Sequence, residues 1–223
     1  MMLKKALILV LSVSLLTLSG LSTSVASPRG GGGGHGSGGT DDLVPLSGDE
    51  ITGLLFMREE EKVARDSYIT LGGIWKLTIF ANIAESEQNH MDAIGKLIDK
   101  YDLEDPVVPG IGEYTDHHLQ ELYDALMLWG KQSMLDGLYV GAAIEETDIV
   151  DIQHEIELAD HADIISTYQA LMCGSRNHLR AFVRQIEDNG GTYTPGADYF
   201  PDSDLYFWDL AHTEMERDCK TAD

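Results

Sequence analysis

The sequence predicts an all-α protein, a four-helix bundle with a long crossover between its second and third helices. Three observations carry that prediction. Apolar residues recur three and four apart over four long segments, no segment alternates for long at period two, and the turn residues leave two short connections around one long middle one.

Taken in order, the chain opens with Lys4 and Lys5, an apolar run from Ala6 to Leu18 and the small residues Ser24-Val25-Ala26. This is the pattern of a secretory signal peptide over residues 1–26, and its apolar run is shorter than the roughly 20 residues of a membrane-spanning helix. The expected protein is therefore exported (secreted, periplasmic or held at the cell surface), with no membrane insertion after cleavage. Residues 27–45 read as a flexible linker, since Gly30 to Gly39 is broken only by His35 and Ser37. His35 reads as solvated.

Residues 46–191 should form the bundle. Ser47-Gly48-Asp49-Glu50 is a capping box that starts the first helix, which should run to about Leu71 and end at Gly72-Gly73. A second helix is predicted from about Leu77 to Tyr101. Asp105-Pro106 and Pro109-Gly110 open the crossover, in which a short amphipathic helix over 116–129 presents Leu119, Leu122, Tyr123, Leu126 and Met127 on one side. Third and fourth long helices are predicted from about Gln132 to Leu158 and from about Ala162 to Asn189, the last ended by Gly190-Gly191. Residues 192–223 form an aromatic-rich tail with room for one terminal helix.

Composition narrows the partners. With 38 Asp plus Glu against 15 Lys plus Arg, the formal charge is -23, which disfavours nucleic acid and anionic membrane surfaces and makes cations the natural small partners. Cys173 and Cys219 are too few for a disulfide framework or a four-thiolate metal cluster. They read as free thiols, with a single bridge as the alternative.

Each inward stripe is apolar except near its middle. The first helix carries Glu61 there, the second Glu87 and His90, the third Glu145 and Asp148, the fourth Ser175 and His178. Counted from the helix ends, Glu61 and Glu87 lie at matching heights, as do Glu145 and Ser175. Several buried carboxylates in one layer repel one another and lose hydration, so they require neutralisation, and a divalent or trivalent metal provides it. Oxygen and imidazole donors without thiolate suit iron, manganese or zinc. Glu146 turns off the stripe. Glu59, Glu60, Lys62 and Arg65 read as a solvated face, Glu85 as surface or as a support for the ligands, and Tyr68 as a core aromatic with a redox role as the second option. His117 and His118 belong to the crossover surface, and His154 and His161 lie away from the layer. Asn177, beside His178, could orient a ligand or make ordinary surface contacts.

The segment Glu61-Lys62-Val63-Ala64-Arg65-Asp66-Ser67-Tyr68 resembles the first-helix signature of ferritins and rubrerythrins, and Glu87-Gln88-Asn89-His90 their second-helix Glu-x-x-His. Three phrases are closer still to an uncharacterised ferritin-like family, domain of unknown function 2202. They are Phe56-Met57-Arg58-Glu59-Glu60-Glu61-Lys62, Ile83 to Met91, and Gly174-Ser175-Arg176-Asn177-His178-Leu179-Arg180-Ala181-Phe182, and the resemblance covers roughly 46–195. It implies a ferritin-like bundle with a di-iron or di-manganese carboxylate site of one to two ions per chain. In that site Glu87 bridges, Glu61, Glu145, His90 and His178 are terminal ligands, and Asp148 is a further ligand or a base behind them. Ser175 departs from the pattern by standing where a fourth-helix Glu would be.

The function expected from the resemblance is iron oxidation or the reduction of oxygen or peroxide, so ferroxidase or peroxidase-like chemistry. No rubredoxin-like cysteine pairs are present to deliver electrons. The rival expectation is a non-catalytic structural or binding module with a degenerate metal site or a metal-free polar layer. Metal ions are the expected partners, and a homo-oligomer is compatible with either reading.

Overall fold

The computed structural model describes residues 44–196, 205–217 and 219. The signal-peptide expectation and all but the end of the linker fall on residues 1–43, outside the described residues. Six helices follow one another: α1 Gly48–Trp75, α2 Thr78–Lys100, α3 His117–Gly130, α4 Met134–Leu158, α5 Ala162–Asp188 and α6 Leu205–Glu216. No strand occurs among the described residues. The four long helices α1, α2, α4 and α5 form the bundle: α1 pairs with α2 and α4 with α5, while α1–α4 and α2–α5 contacts close it. The crossover helix α3 lies against α1 and α4, and α6 against α4 and α5. Among the described residues no helix is long and apolar enough to cross a membrane.

Local signals set most boundaries. Ser47 Oγ accepts from Glu50 N at 3.1 Å while Glu50 Oε2 accepts from Ser47 N at 2.9 Å, the predicted capping box. Glu50 does more, because its Oε1 also accepts from the backbone of Asp160 and His161 and faces His161 Nδ1 at 2.7 Å. One carboxylate thereby ties the start of α1 to the α4–α5 turn. Asp116 caps α3 and Ser133 caps α4 through their side-chain oxygens.

The end of α1 differs from expectation. The helix passes through Gly72-Gly73 to Trp75 and stops at Lys76, which adopts a left-handed φ of 58°. Gly72 serves contact instead: a Cβ there would lie 3.1 Å from Phe80 Cβ, so its absence lets α2 fold back closely. The same device recurs at Gly141, where a Cβ would fall 2.3 Å from the Phe182 ring. The rings of Tyr68, Phe80 and Phe182 then fill the centre, with centroids 5.2 to 6.2 Å apart.

Two further expectations are corrected. Glu59, Glu60 and Lys62 are buried and Arg65 is partly so, because the crossover lies on that face of α1. Glu59 accepts from Thr115 N at 2.6 Å and Asp116 N at 2.9 Å. Lys62 Nζ donates to Asp66 at 2.7 Å and to the carbonyls of Gly110 and Glu113 at 2.5 and 2.9 Å. Asp66 accepts from Arg65 and from Gly112 N as well. A helix period cannot announce cover supplied by an irregular segment. The cysteines are joined: Cys173 of α5 and Cys219 form a disulfide across 46 residues. It fastens the end of the chain to α5 beside the Arg176–Glu214 ion pair.

Candidate metal centre

Five of the six predicted ligands meet in one buried layer. Glu61 comes from α1, Glu87 and His90 from α2, Glu145 from α4 and His178 from α5; every one is at most 8% exposed. The reason is periodic. Each occupies its helix's inward stripe, and the antiparallel pairing of α1 with α2 and α4 with α5 brings the matching heights together.

Glu87 is the centre of the layer. Its Oε2 lies 2.8 Å from His90 Nδ1 and its Oε1 lies 2.8 Å from His178 Nδ1. Glu61 Oε2 stands 3.2 Å from His90 Nδ1, and Glu145 Oε2 stands 3.4 Å from His178 Nδ1. Two three-residue groups result, Glu61–Glu87–His90 and Glu87–Glu145–His178. Within each, one ligand atom per residue lies within 4.8 Å of the others. The groups share Glu87, and the two imidazole rings stack with centroids 5.6 Å apart.

Neighbours hold these side chains in place. Tyr68 Oη donates to Glu145 Oε1 at 2.5 Å, leaving Oε2 to face His178. Ser86 Oγ lies 2.9 Å from His178 Nε2. Gly174 makes room for the other ring, since a Cβ there would sit 2.4 Å from His90 Nε2. Tyr68 was visible in the sequence chiefly as a core residue, and Ser86 and Gly174 carried no signal of their roles.

The sixth predicted ligand, Asp148, lies beside the layer but in neither group. Its Oδ2 accepts a hydrogen bond from Ser175 Oγ, whose single proton is shared with Leu171 O. Ser175 thus spends its hydroxyl on α4 and its own helix. Glu146 is buried, but on another side, where it accepts from Tyr193 Oη and Gly196 N of the tail. Glu85 is exposed, and Asn177 contacts Cys219 Sγ and Arg180, away from the ligands. His117 and His118 are exposed on α3, His154 is exposed on α4, and His161 is engaged by Glu50.

Without an ion, protons balance the charges. Burial opposes ionisation of Glu87, but the cations of His178 and His90 overcome it and hold its carboxyl at about 2. Burial also opposes protonation of the histidines, yet Glu61 and Glu87 push His90 up to about 12, and Glu145 and Glu87 push His178 up to about 10. Burial lifts Glu61 to about 7 against the pull of His90. Burial and then the Glu87 charge lift Glu145 to about 7.

Each of the two groups could hold a metal ion. Glu61 Oε1 and Asp148 Oδ1 are buried with no hydrogen-bond partner among the described residues, while Glu87 Oε1 has only the ion pair with His178 Nδ1 at 2.8 Å. Such orphans cost about 1–3 kcal/mol each unless something binds them. Carboxylate and imidazole donors match iron, manganese or zinc.

Comparison with known proteins bears out the family resemblance. The family described as "Uncharacterized protein domain (DUF2202)" matches residues 50–205. The uncharacterised protein MJ0754 of Methanocaldococcus jannaschii is 51% identical over 152 residues, 68% of this chain and 82% of that protein. The crystal structure of hypothetical protein MJ0754 from Methanococcus jannaschii is similar with a TM-score of 0.72 at 44% identity, covering 82% of this chain and 100% of the other.

Proposed function

We propose that this chain, which belongs to the DUF2202 family, binds two transition-metal ions in the Glu87-centred layer and uses them in oxidation-reduction chemistry. One observation carries the proposal: each oxygen of Glu87 faces a different histidine, and each histidine has a second carboxylate beside it. In this reading Glu87 would serve both sites, with Glu61 and His90 completing one and Glu145 and His178 the other.

Bound iron or manganese would supply the electron steps for oxidising ferrous iron or for reducing oxygen or peroxide. The chain supplies the rest. Tyr68 fixes which oxygen Glu145 presents, Ser86 sets the His178 ring, and the aromatic group of Tyr68, Phe80 and Phe182 keeps bulk water from that side. Each imidazolium must lose its proton to accept metal, so affinity should rise with pH.

Export is part of the proposal. The Cys173–Cys219 bridge supports it, because disulfides persist mainly in oxidising compartments.

A second reading, a metal-free structural layer, has its own support. Two imidazolium rings against Glu87 already neutralise much of the charge. Metal analysis followed by an oxygen-consumption assay with ferrous iron separates the two. The first reading expects bound iron and consumption of oxygen that depends on Glu87 and His90. A normally folded protein that stays metal-free in ferrous, manganous and zinc solutions establishes the second.

A further inference from the structure

The chemistry proposed for the layer consumes electrons, and no rubredoxin-like cysteine pairs stand in the chain to deliver them. Two other cysteines stand close by. Cys173 immediately precedes Gly174 on α5, and a Cβ at Gly174 would lie 2.4 Å from His90 Nε2. Consecutive Cα atoms are about 3.8 Å apart, which brings the Cys173 Cα within roughly 8 Å of the His90 ring. His90 meets the carboxylates of Glu61 and Glu87 with Nδ1 and the Gly174 backbone with the Nε2 side of its ring. One imidazole therefore spans from the layer to the segment that carries the disulfide.

The surroundings of the Cys173–Cys219 bridge favour its opening. Both residues are partly exposed, so a reductant can reach them. Asn177 Nδ2 donates to Cys219 Sγ at 3.4 Å. Arg176 and Arg180 follow Cys173 along α5, and Arg217 stands two residues before Cys219. Burial, and then the charges of Arg217 and Arg180, hold the Arg176 guanidinium below its ordinary value, so the three guanidiniums crowd one place. Glu214 pairs with Arg176 and Arg217, and these four groups together keep a positive excess in a chain whose formal charge is -23. A partly exposed, electropositive setting stabilises a thiolate, and a thiolate is what leaves when a disulfide is reduced.

We propose that Cys173 and Cys219 are a redox-active pair, the electron donor of the metal layer, and that their bridge is the oxidised state of that pair. This role rests on the function proposed above. In the donating step two S–H bonds break and one S–S bond forms, releasing two electrons and two protons. With the electrons passing by way of the layer, these reduce one hydrogen peroxide to two waters. A dithiol reductant from outside the chain then reopens the bridge and is itself oxidised to a disulfide. The pair matches peroxide one to one, whereas dioxygen needs four electrons to reach water.

The test begins with the full chain reduced by dithiothreitol under argon and freed of reductant. One portion is loaded with ferrous iron and one stays metal-free. Both receive excess hydrogen peroxide, and alkylation followed by mass spectrometry counts the free thiols over time. Dithiothreitol should open the bridge while circular dichroism shows the helices intact. Peroxide should then close it at least ten-fold faster in the loaded protein than in the metal-free one, and Glu87→Ala given the same iron should behave like the metal-free protein. A bridge that opens only when the chain unfolds overturns the proposal. So do thiols that persist while the loaded protein consumes peroxide, or that close equally fast without bound metal; both results leave the redox function of the layer standing. A loaded wild type that consumes no peroxide overturns that function, and the donor role falls with it.

Discussion

Helix α1 carries two buried groups of charge that meet opposite fates. On the face under the crossover, Lys62, Asp66 and Glu59 are buried, and the Lys62 ammonium and both oxygens of each carboxylate have protein partners. On the face toward the bundle axis, Glu61 is equally buried but keeps an oxygen with no partner among the described residues, as does Asp148. Burial is the same; completeness of hydrogen bonding is not. A closed network holds a loop in place, whereas an open one has donor atoms left for a ligand.

The closed network should therefore govern stability and leave metal alone. Lys62→Met removes one partner of a buried pair and should lower unfolding free energy by about 3–5 kcal/mol in urea titration. The folded fraction should still bind metal like the wild type. A loss of metal with no loss of stability would reverse the roles assigned to the two faces.

The Cys173–Cys219 bridge is another closed device, joining segments 46 residues apart. Cys219→Ser should cost roughly 2–4 kcal/mol. Amide exchange should show the loss concentrated in α6 rather than in the layer; uniform loosening of α1 and α2 would contradict this.

Glu59→Ala sharpens the contrast with its neighbour Glu61. It strands the amides of Thr115 and Asp116 and should lower stability by about 1–3 kcal/mol, read as a lower Tm, with metal stoichiometry unchanged.

The smallest effect expected is in acid. Burial resists ionisation of Glu50, but the Ser47 N–H and the His161 contacts outweigh it and hold the carboxyl at about 2, below its ordinary 4.5. The Glu50 hydrogen bond raises His161. A depressed acid stabilises fully above its unfolded pKa and loses that contribution as pH falls. The raised base stabilises fully below its own unfolded pKa and loses it as pH rises. The pair should contribute most between pH 4.5 and 6.5, and Glu50→Gln should flatten the stability profile between pH 4.5 and 2 relative to the wild type.

How much of this was legible in the sequence follows from periodicity. Glu61, Glu87, His90, Glu145 and His178 were readable because each breaks an apolar stripe at helical spacing, and a helix fixes direction from spacing alone. The crossover helix and its Leu119–Met127 face were readable for the same reason. The burial of Glu59 and Lys62 was not, since the covering segment between Asp105 and Asp116 has no period, and that of Glu60 was not, since it depends on how α3 and α4 pack against α1. Asp148 was placed at the right height, but its capture by Ser175 depends on a contact between two helices. The Cys173–Cys219 bridge joins points whose distance no local pattern encodes. Gly72 misled because glycine can serve close packing as well as termination.

The central claim is that the open network around Glu87 holds two metal ions. Elemental analysis of protein reconstituted with ferrous iron, wild type against Glu87→Ala, tests it most directly. The account predicts close to two ions per chain in the wild type and fewer than one in the variant, with both chains folded. A folded wild type that binds no metal, or a Glu87→Ala chain that binds as much as the wild type, would contradict it.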